Sequence, residues 1–394
     1  MLSVTLHPNT SSPAGKSPPV VLQVLPRLMT GGVERGTIEM ATALQAFGWK
    51  AVVASEGGPM VRELERVGAE HVTLPLASKN PLVMRRNRDA LRRVIQEKGV
   101  SLVHARSRAP AWSALWAARA EGVPFVTTFH GTYNLGPLAL KKRYNRVMAM
   151  GDRVIAISEF IRRHILEHYL PSDEAIRVIH RGVDFFRFDP DKVSPERMIT
   201  LSQRWRLPDG EPVIMLPGRL TRWKGQILLL EALTHLRDLK FCCVLVGSDQ
   251  GRDAYRAEVE AEITRLGLRD RVILADECND MPAAYMVADV VVSASTDPEA
   301  FGRVSAEGQA MGRPVVAPQH GAAPEILVDG KTGWLFIPNN PESLARALRN
   351  ALSLTADERA EWAPRAIAHI RDHFTTDRMC EKTMAVYREL LPQV

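Results

Sequence analysis

Four cysteines in 394 residues are too few and too irregularly spaced for a disulfide framework or a zinc site. Cys242 and Cys243 are adjacent, Cys278 and Cys380 stand alone, and no CxxC pair occurs. Buried, reduced thiols in a reducing compartment are the expectation. No apolar run reaches the roughly 18 residues of a membrane-spanning helix. The stretch 1–18 lacks the apolar centre of a secretory signal; with Pro8, Ser11, Ser12, Pro13, Ser17 and Pro18 it reads as a flexible tail, and a cytoplasmic location is expected. No GxGxxG follows the first apolar run, which argues against a dehydrogenase. Charge of one sign is also scarce. Fifty-one Lys+Arg face 45 Asp+Glu, and a net charge of +6 does not point to nucleic acid.

What is present is an ordinary globular balance, 45% hydrophobic and 24% charged, which excludes a disordered or fibrous chain. At about 150 residues per domain the length suggests two to three domains. The charge is unevenly placed: residues 1–197 hold 28 basic and 18 acidic groups, the remainder 23 and 27. Different partners for the two halves would explain that, as would chance surface composition.

Short apolar runs alternate with helical periodicity along both halves. In the first, strands are predicted at 20–25, 51–54, 71–74, 102–104, 125–129 and 153–157, with helices over 33–47, 59–67, 82–98, 110–120 and 159–169. Pro190, Pro195 and Pro208 interrupt a charged stretch at 185–210, which reads as a connection between domains. In the second half, strands are predicted at 213–216, 241–246, 272–274, 290–293, 314–317 and 333–336, with helices over 225–237, 252–266, 303–311, 341–354, 357–372 and 375–391. This rhythm predicts α/β architecture, two Rossmann-like parallel-sheet domains with ligands beyond the carboxyl ends of the strands and in the cleft between domains. The expected division is a tail at 1–18, a first domain over 19–190, a second over 191–374, and a C-terminal helix over 375–394.

Two segments carry chemistry. In Asp297-Pro298-Glu299-Ala300-Phe301-Gly302-Arg303-Val304-Ser305-Ala306-Glu307, between a strand and a helix, seven residues separate Glu299 in the loop from Glu307 in the helix. Gly302 lets backbone approach a ligand closely, and the free N–H groups at the helix start favour an oxygen-rich or anionic group. Glu299 could accept hydrogen bonds from sugar hydroxyls and Glu307 from a ribose diol. An ordinary solvated helix start with acidic first-turn residues fits the spacing equally well. The second segment, Pro217-Gly218-Arg219-Leu220-Thr221-Arg222-Trp223-Lys224-Gly225, follows a strand. It puts Arg219 and Lys224 in one loop, suited to a diphosphate or to plain exposure.

These residues resemble retaining glycosyltransferases of the GT-B fold, and most closely the bacterial family-four group that includes lipopolysaccharide and cell-envelope transferases. The resemblance runs over about 20–390. It adds Gly31-Gly32-Val33-Glu34, His130-Gly131, Ser158-Glu159, Gly182-Val183-Asp184, Val246-Gly247, Gly321 with Pro324-Glu325, and Gly330-Lys331-Thr332-Gly333. Each match is weak alone, and together they fall in order at matching places. The resemblance implies a hexosyltransferase that takes a UDP-, GDP- or ADP-sugar, retains configuration and needs neither metal nor other cofactor; no Asp-x-Asp pair falls at a candidate site. It implies that Arg219 and Lys224 clamp the diphosphate, that Glu307 holds the ribose and that Glu299 binds sugar hydroxyls. Backbone at Phe301, Gly302 and Arg303 would cradle sugar or phosphate, with Gly218 and Gly247 beside the donor. Gly31 and Gly32 would close over the diphosphate, and His130 would stand near the reacting carbon. It also implies that the C-terminal helix crosses back to the first domain.

The acceptor implied is a glycan or a lipid-linked sugar, in lipopolysaccharide core or envelope polysaccharide synthesis. Arg85, Arg86, Arg88, Arg92 and Arg93, interleaved with Leu82, Val83, Leu91, Val94 and Ile95, and Lys141, Lys142, Arg143 and Arg146 then suit an anionic membrane face. A solvated helix face suits them too. Competing readings are an epimerase or phosphorylase of the same fold, and a catalytically inactive nucleotide-sugar-binding or scaffold protein.

Overall fold

A computed structural model describes residues 17–133, 140–169 and 171–392. They fall into two compact units, one within Met1–Gly182 plus Thr376–Val394 and one spanning Val183–Thr375. Of the tail expected over 1–18, residues 1–16 lie outside the described residues.

The first unit is built on strands β1 (Val20–Val24), β2 (Lys50–Ser55), β3 (Glu70–Thr73), β4 (Leu102–Ala105), β5 (Phe125–Phe129), β6 (Arg153–Ala156) and β7 (Ile176–Val178). All pair in parallel, in the order β3-β2-β1-β4-β5-β6-β7. Helices α1 (Gly32–Ala46), α2 (Val61–Arg66), α3 (Pro81–Lys98), α4 (Arg108–Glu121), α5 (Leu140–Asn145) and α6 (Glu159–Tyr169) connect them. The sheet's central strands β1, β4 and β5 are buried throughout, as their unbroken apolar runs require of a sheet covered on both faces. Helix α3 shows how local signals set the limits. Asn80 accepts from the Leu82 N–H, Pro81 occupies the first turn, and Gly99 ends the helix in the left-handed region at φ 61°.

The second unit opens with α7 (Pro195–Trp205) and holds β8 (Val213–Pro217), β9 (Cys242–Val246), β10 (Val272–Ala275), β11 (Val290–Val292), β12 (Val315–Pro318) and β13 (Trp334–Phe336). These are again parallel, in the order β10-β9-β8-β11-β12-β13. Its other helices are α8 (Gln226–Thr234), α9 (Asp253–Arg265), α10 (Met281–Val287), α11 (Arg303–Ala310), α12 (Ala323–Ile326), α13 (Pro341–Leu352) and α14 (Ala356–His373). Leu229, Leu233, Leu245, Val259, Leu344 and Leu348 pack in one core with the strands. The connection expected over 185–210 is instead largely structured, by a 3₁₀ turn at Pro190–Lys192 and by α7. Pro195 sits in the first turn of α7, where its missing N–H costs nothing. Leu201 and Trp205 are buried, and Arg197 donates two hydrogen bonds to Asp280, at 2.8 and 2.5 Å, pinning α7 to the start of α10.

The last helix, α15 (Thr376–Leu390), belongs to the first unit, where Met379, Met384 and Tyr387 enter the same core as Ile38 and Leu44 of α1. His104 of β4 is fully buried; its two ring nitrogens are hydrogen-bonded to the Tyr387 hydroxyl at 2.6 Å and the Thr128 hydroxyl at 2.7 Å. Helix, strand and neighbouring strand are thereby tied at one point. The unit boundaries lie at 182/183 and 375/376 rather than at the expected 190/191 and 374/375. Val183 N–H donates to the Phe374 carbonyl at 2.8 Å, so the chain enters and leaves the second unit through one paired step.

Each sheet has one place where the strand order reverses, between β1 and β4 and between β8 and β11. Loops leaving the carboxyl ends of such strand pairs diverge and open a crevice, the usual ligand position in doubly wound sheets.

Candidate functional site

In the second unit the reversal brings the 218–225 loop after β8 against the 293–299 segment after β11. The loop leaves β8 at Gly218, whose N–H donates to the Val246 carbonyl at 2.8 Å. It tightens into a 3₁₀ turn at Arg222–Lys224 and reaches Gly225 at φ 72°. A Cβ on Gly225 would lie 1.8 Å from the Ala294 carbonyl oxygen, and one on Gly247 would lie 2.1 Å from that of Gly218. Both glycines are therefore required by the closeness of three backbone segments, as well as by positive φ.

This approach delivers Lys224 to Glu299. The ammonium donates to Glu299 Oε1 at 2.7 Å, with both side chains mostly buried. Ser293 donates to the same oxygen at 3.4 Å, and Ser295 donates to it more closely. Burial works to raise the Glu299 carboxyl, but Lys224 and the two serines outweigh it and hold it below the usual range. The carboxylate is thus ionised at neutral pH, with one oxygen engaged and fixed in direction. Arg219 is exposed, and its guanidinium makes no hydrogen bond or ion pair among the described residues. Its carbonyl accepts from Gln226 at 3.0 Å, which steadies the loop from below.

Glu307 forms a second cluster on the same segment. Tyr285 donates to its Oε2 at 2.9 Å, and Arg303 donates to its Oε1 at 2.9 and 3.1 Å. Tyr285 is fully buried, and burial beside an ionised carboxylate raises its hydroxyl far above the ordinary phenol, so it stays a donor. Gly302 caps α11 at φ 86°, yet a Cβ there meets nothing closer than 3.8 Å. Within the described residues, glycine is required there by the positive φ. The Phe301 ring is buried against Phe374. Gly321 presses on Glu299 from the β12 side, and the Ala322 N–H donates to the Glu299 carbonyl at 2.9 Å.

In the first unit, Gly31 precedes α1 in an extended conformation and Gly32 begins it. The Gly32 carbonyl accepts from Arg181, while His130, immediately after β5, lines a small hollow with Arg181 and Arg106. Burial, then the charges of Arg106 and Arg181, lower His130 well below an ordinary imidazole, so it is neutral. Of the basic stretch on α3, Arg85, Arg86 and Arg93 are exposed, but Arg88 pairs with Asp89 and Arg92 with Glu121. Leu91, Val94 and Ile95 belong to the core, leaving Leu82 on α3 and Trp116 on α4 as the exposed large apolar side chains nearby. Among the described residues no group of three or more His, Cys, Asp or Glu is placed to hold a metal, and no helix is long and apolar enough to cross a membrane.

Ser293, Ser295, Tyr285 and Gln226 went unnoticed in the sequence. The two serines carry a faint signal, alternate positions at the end of a strand and hence one face. Tyr285 carries none, because it reaches Glu307 from an unpredicted helix.

Residues 30–187 match the family model described as Glycosyltransferase Family 4, and 198–369 the model described as Glycosyl transferases group 1. The crystal structure of a glycosyltransferase from Rickettsia africae is similar with a TM-score of 0.88 and 37% identity, over 95% of this chain and 99% of that one. The D-inositol 3-phosphate glycosyltransferase of Xylanimonas cellulosilytica is 31% identical over 287 residues, 69% of this chain and 68% of its own. Two further relatives of that name are matched over 54% and 62% of their length. Anabaena HepE, solved with UDP-glucose, shares the fold at 24% identity, with a TM-score of 0.79 over 94% of this chain and 100% of that one.

Proposed function

Since the chain belongs to the family-four glycosyltransferases of GT-B fold, we propose that it moves a hexose from a nucleoside-diphosphate sugar to a glycan or lipid-linked acceptor with retention of configuration. The observation that carries this reading is the Lys224–Glu299 pair at the reversal of the second sheet. A cation suited to phosphate and a carboxylate suited to sugar hydroxyls stand side by side there, 2.7 Å apart.

In this reading Arg219 and Lys224 meet the diphosphate. Breaking the glycosyl–phosphate bond leaves positive charge on the sugar and negative charge on the departing phosphate. Cations already aimed at the latter lower the barrier without reorganising. The loop supplies that charge itself, and no metal is called for. Lys224 shared between phosphate and Glu299 fixes the carboxylate beside the reacting sugar, where its second oxygen accepts hydroxyl hydrogen bonds. Glu307, oriented by Tyr285 and Arg303, takes the ribose diol. Phe301, Gly302 and Arg303 offer backbone to sugar or phosphate, Gly218 and Gly247 flank the donor, and Gly31 and Gly32 cover the diphosphate. A neutral His130 positions the sugar or acceptor. HepE was solved with UDP-glucose, which makes a UDP-sugar the first donor to try, with GDP- and ADP-sugars beside it. The acceptor lies in lipopolysaccharide core or envelope polysaccharide synthesis, met at the inner face of the cytoplasmic membrane through Arg85, Arg86, Arg93, Lys141 and Arg143, with Leu82 and Trp116.

Calorimetry with UDP, GDP and ADP tests the core of the proposal. One of them should bind, and Lys224→Ala should weaken it by about tenfold or more, the loss of a charge-assisted contact. A chain that binds none is a scaffold, and the reading fails.

A further inference from the structure

Near its carboxyl end α14 carries two histidines one turn apart, His369 and His373. Side chains four residues apart on a helix share a face, the spacing at which two imidazoles can reach one ion. Their ring centres stand 5.2 Å apart, with the planes inclined at 67°. With metal–nitrogen bonds of about 2.1 Å and a tetrahedral angle, two imidazoles on one ion have ring centres roughly 5 Å apart. The pair already has the separation that a shared ion would impose.

Its surroundings suit the same ion. The Ile326 carbonyl on α12 lies 2.9 Å from His369 Nε2. A carbonyl only accepts, so Nε2 carries the hydrogen and Nδ1 keeps its lone pair. Imidazoles that bind metal are commonly held in this way, by an oxygen acceptor on the nitrogen that does not meet the ion. His373 is exposed and His369 half-buried, so an ion can reach them from solvent. They stand at the carboxyl end of an 18-residue helix, where the helix dipole favours positive charge, and the field of Asp372 adds to it. Arg371, between them in sequence, places its guanidinium over the Phe185 ring at 5.1 Å. His164 and His168 on α6 have the same spacing, but their ring centres are 4.6 Å apart, tighter than the tetrahedral arrangement needs, and His164 Nε2 is closed off from solvent.

We propose that His369 and His373 form a binding site for one divalent transition-metal ion of the zinc or copper type, with water completing its coordination. Hard, oxygen-seeking cations such as magnesium do not suit a site made of two imidazole nitrogens. Both histidines flank Phe374, at 5.8 and 6.1 Å between ring centres, and Phe374 meets Phe301 at 6.2 Å. Two buried aromatic rings thus link the pair to the loop that carries Glu299. The ion's role is structural, fixing the end of α14, and the inference stands independently of the glycosyl-transfer reading.

The test uses the full chain at about pH 7.5, where imidazoles are mostly neutral. Wild type, His373→Gln, His369→Gln and His164→Gln are titrated with Zn²⁺, Cu²⁺ and Mg²⁺ salts. In calorimetry the wild type should bind Zn²⁺ and, more tightly, Cu²⁺, while Mg²⁺ should not bind. His373→Gln and His369→Gln should each weaken Zn²⁺ binding by about tenfold or more, because one of two nitrogen ligands is lost. His369→Gln retains an N–H for the Ile326 carbonyl, and His373 is exposed, so both variants should keep the wild-type circular dichroism. His164→Gln should change the affinity by less than about twofold. Saturating Zn²⁺ should raise the unfolding temperature of the wild type by about 2 °C or more and leave that of His373→Gln where it was. No Zn²⁺ binding by the wild type, equal binding of Mg²⁺, an affinity unchanged in His373→Gln, or a loss in His164→Gln as large as that in His373→Gln each overturns the proposal. Nucleoside diphosphates enter none of these readouts, so failure here and failure of the transfer reading are separate results.

Discussion

The two sheets share one plan and treat charge in opposite ways. At the reversal of the second sheet, Lys224 and Glu299 neutralise each other, with two serines completing the carboxylate's bonding. At the reversal of the first, Arg106 stands buried and, among the described residues, unpaired beside neutral histidines. The fold supplies a crevice in both places, and the side chains decide what each can hold. In the second crevice a fixed, ionised carboxylate stands beside a lysine, with the exposed Arg219 on the same loop.

The largest effect should come from breaking the pair. Lys224→Ala removes the cation proposed to meet the diphosphate and leaves Glu299 buried without its lysine partner. The transfer rate on the best nucleotide sugar should fall by about 100-fold or more, and Arg219→Ala, on an exposed side chain, should fall less. A Lys224→Ala rate within a few-fold of wild type would remove the pair from the chemistry. The next effect is on the backbone that creates the pair. Gly225→Ala drives a Cβ into the Ala294 carbonyl at positive φ and should cost about 2–4 kcal/mol in a urea titration. Gly302→Ala meets no atom closer than 3.8 Å and should cost about 1 kcal/mol, the conformational part alone.

The comparison also predicts different acid responses. His104 and His130 are lowered well below 6.5 in the folded chain, chiefly by burial, so the unfolded chain binds more protons as pH falls. Their contribution is complete above about pH 6.5 and declines below it, by up to roughly 1.4 kcal/mol per pH unit for each group. Glu299 is also lowered, from an ordinary 4.5, so its share is complete above that value and is lost only in stronger acid. Hydrogen exchange followed from pH 7.5 to 5 should show the first unit's sheet loosening before the second's. Simultaneous loosening would contradict the assignment. The smallest effect is that of Tyr285→Phe. Removing one hydrogen bond to Glu307 should weaken nucleotide binding a few-fold, with the fold intact by circular dichroism.

The sequence made much of this legible. Strands such as Val20–Val24, Phe125–Phe129 and Val213–Pro217 are unbroken apolar runs because parallel strands are covered on both faces, and that pattern needs no partner to be seen. Short elements were less visible. β7 has three residues, α10 and α12 seven and four, too few for a period to emerge. Helix α7 was hidden by its prolines, although Pro195 occupies the one turn where a helix accepts it.

Composition and periodicity determined the class of the fold, and the motifs nominated Gly218, Arg219, Lys224, Glu299 and Glu307, because those properties reside in residue type and spacing along the chain. Only the tertiary structure decided that Lys224 bonds Glu299, that Tyr285 steadies Glu307 and that Arg106 has no partner among the described residues. Pairing and burial depend on which strands become neighbours. A carboxylate 75 positions from its lysine acquires its charge state, and its direction, only when the sheet brings the two loops together.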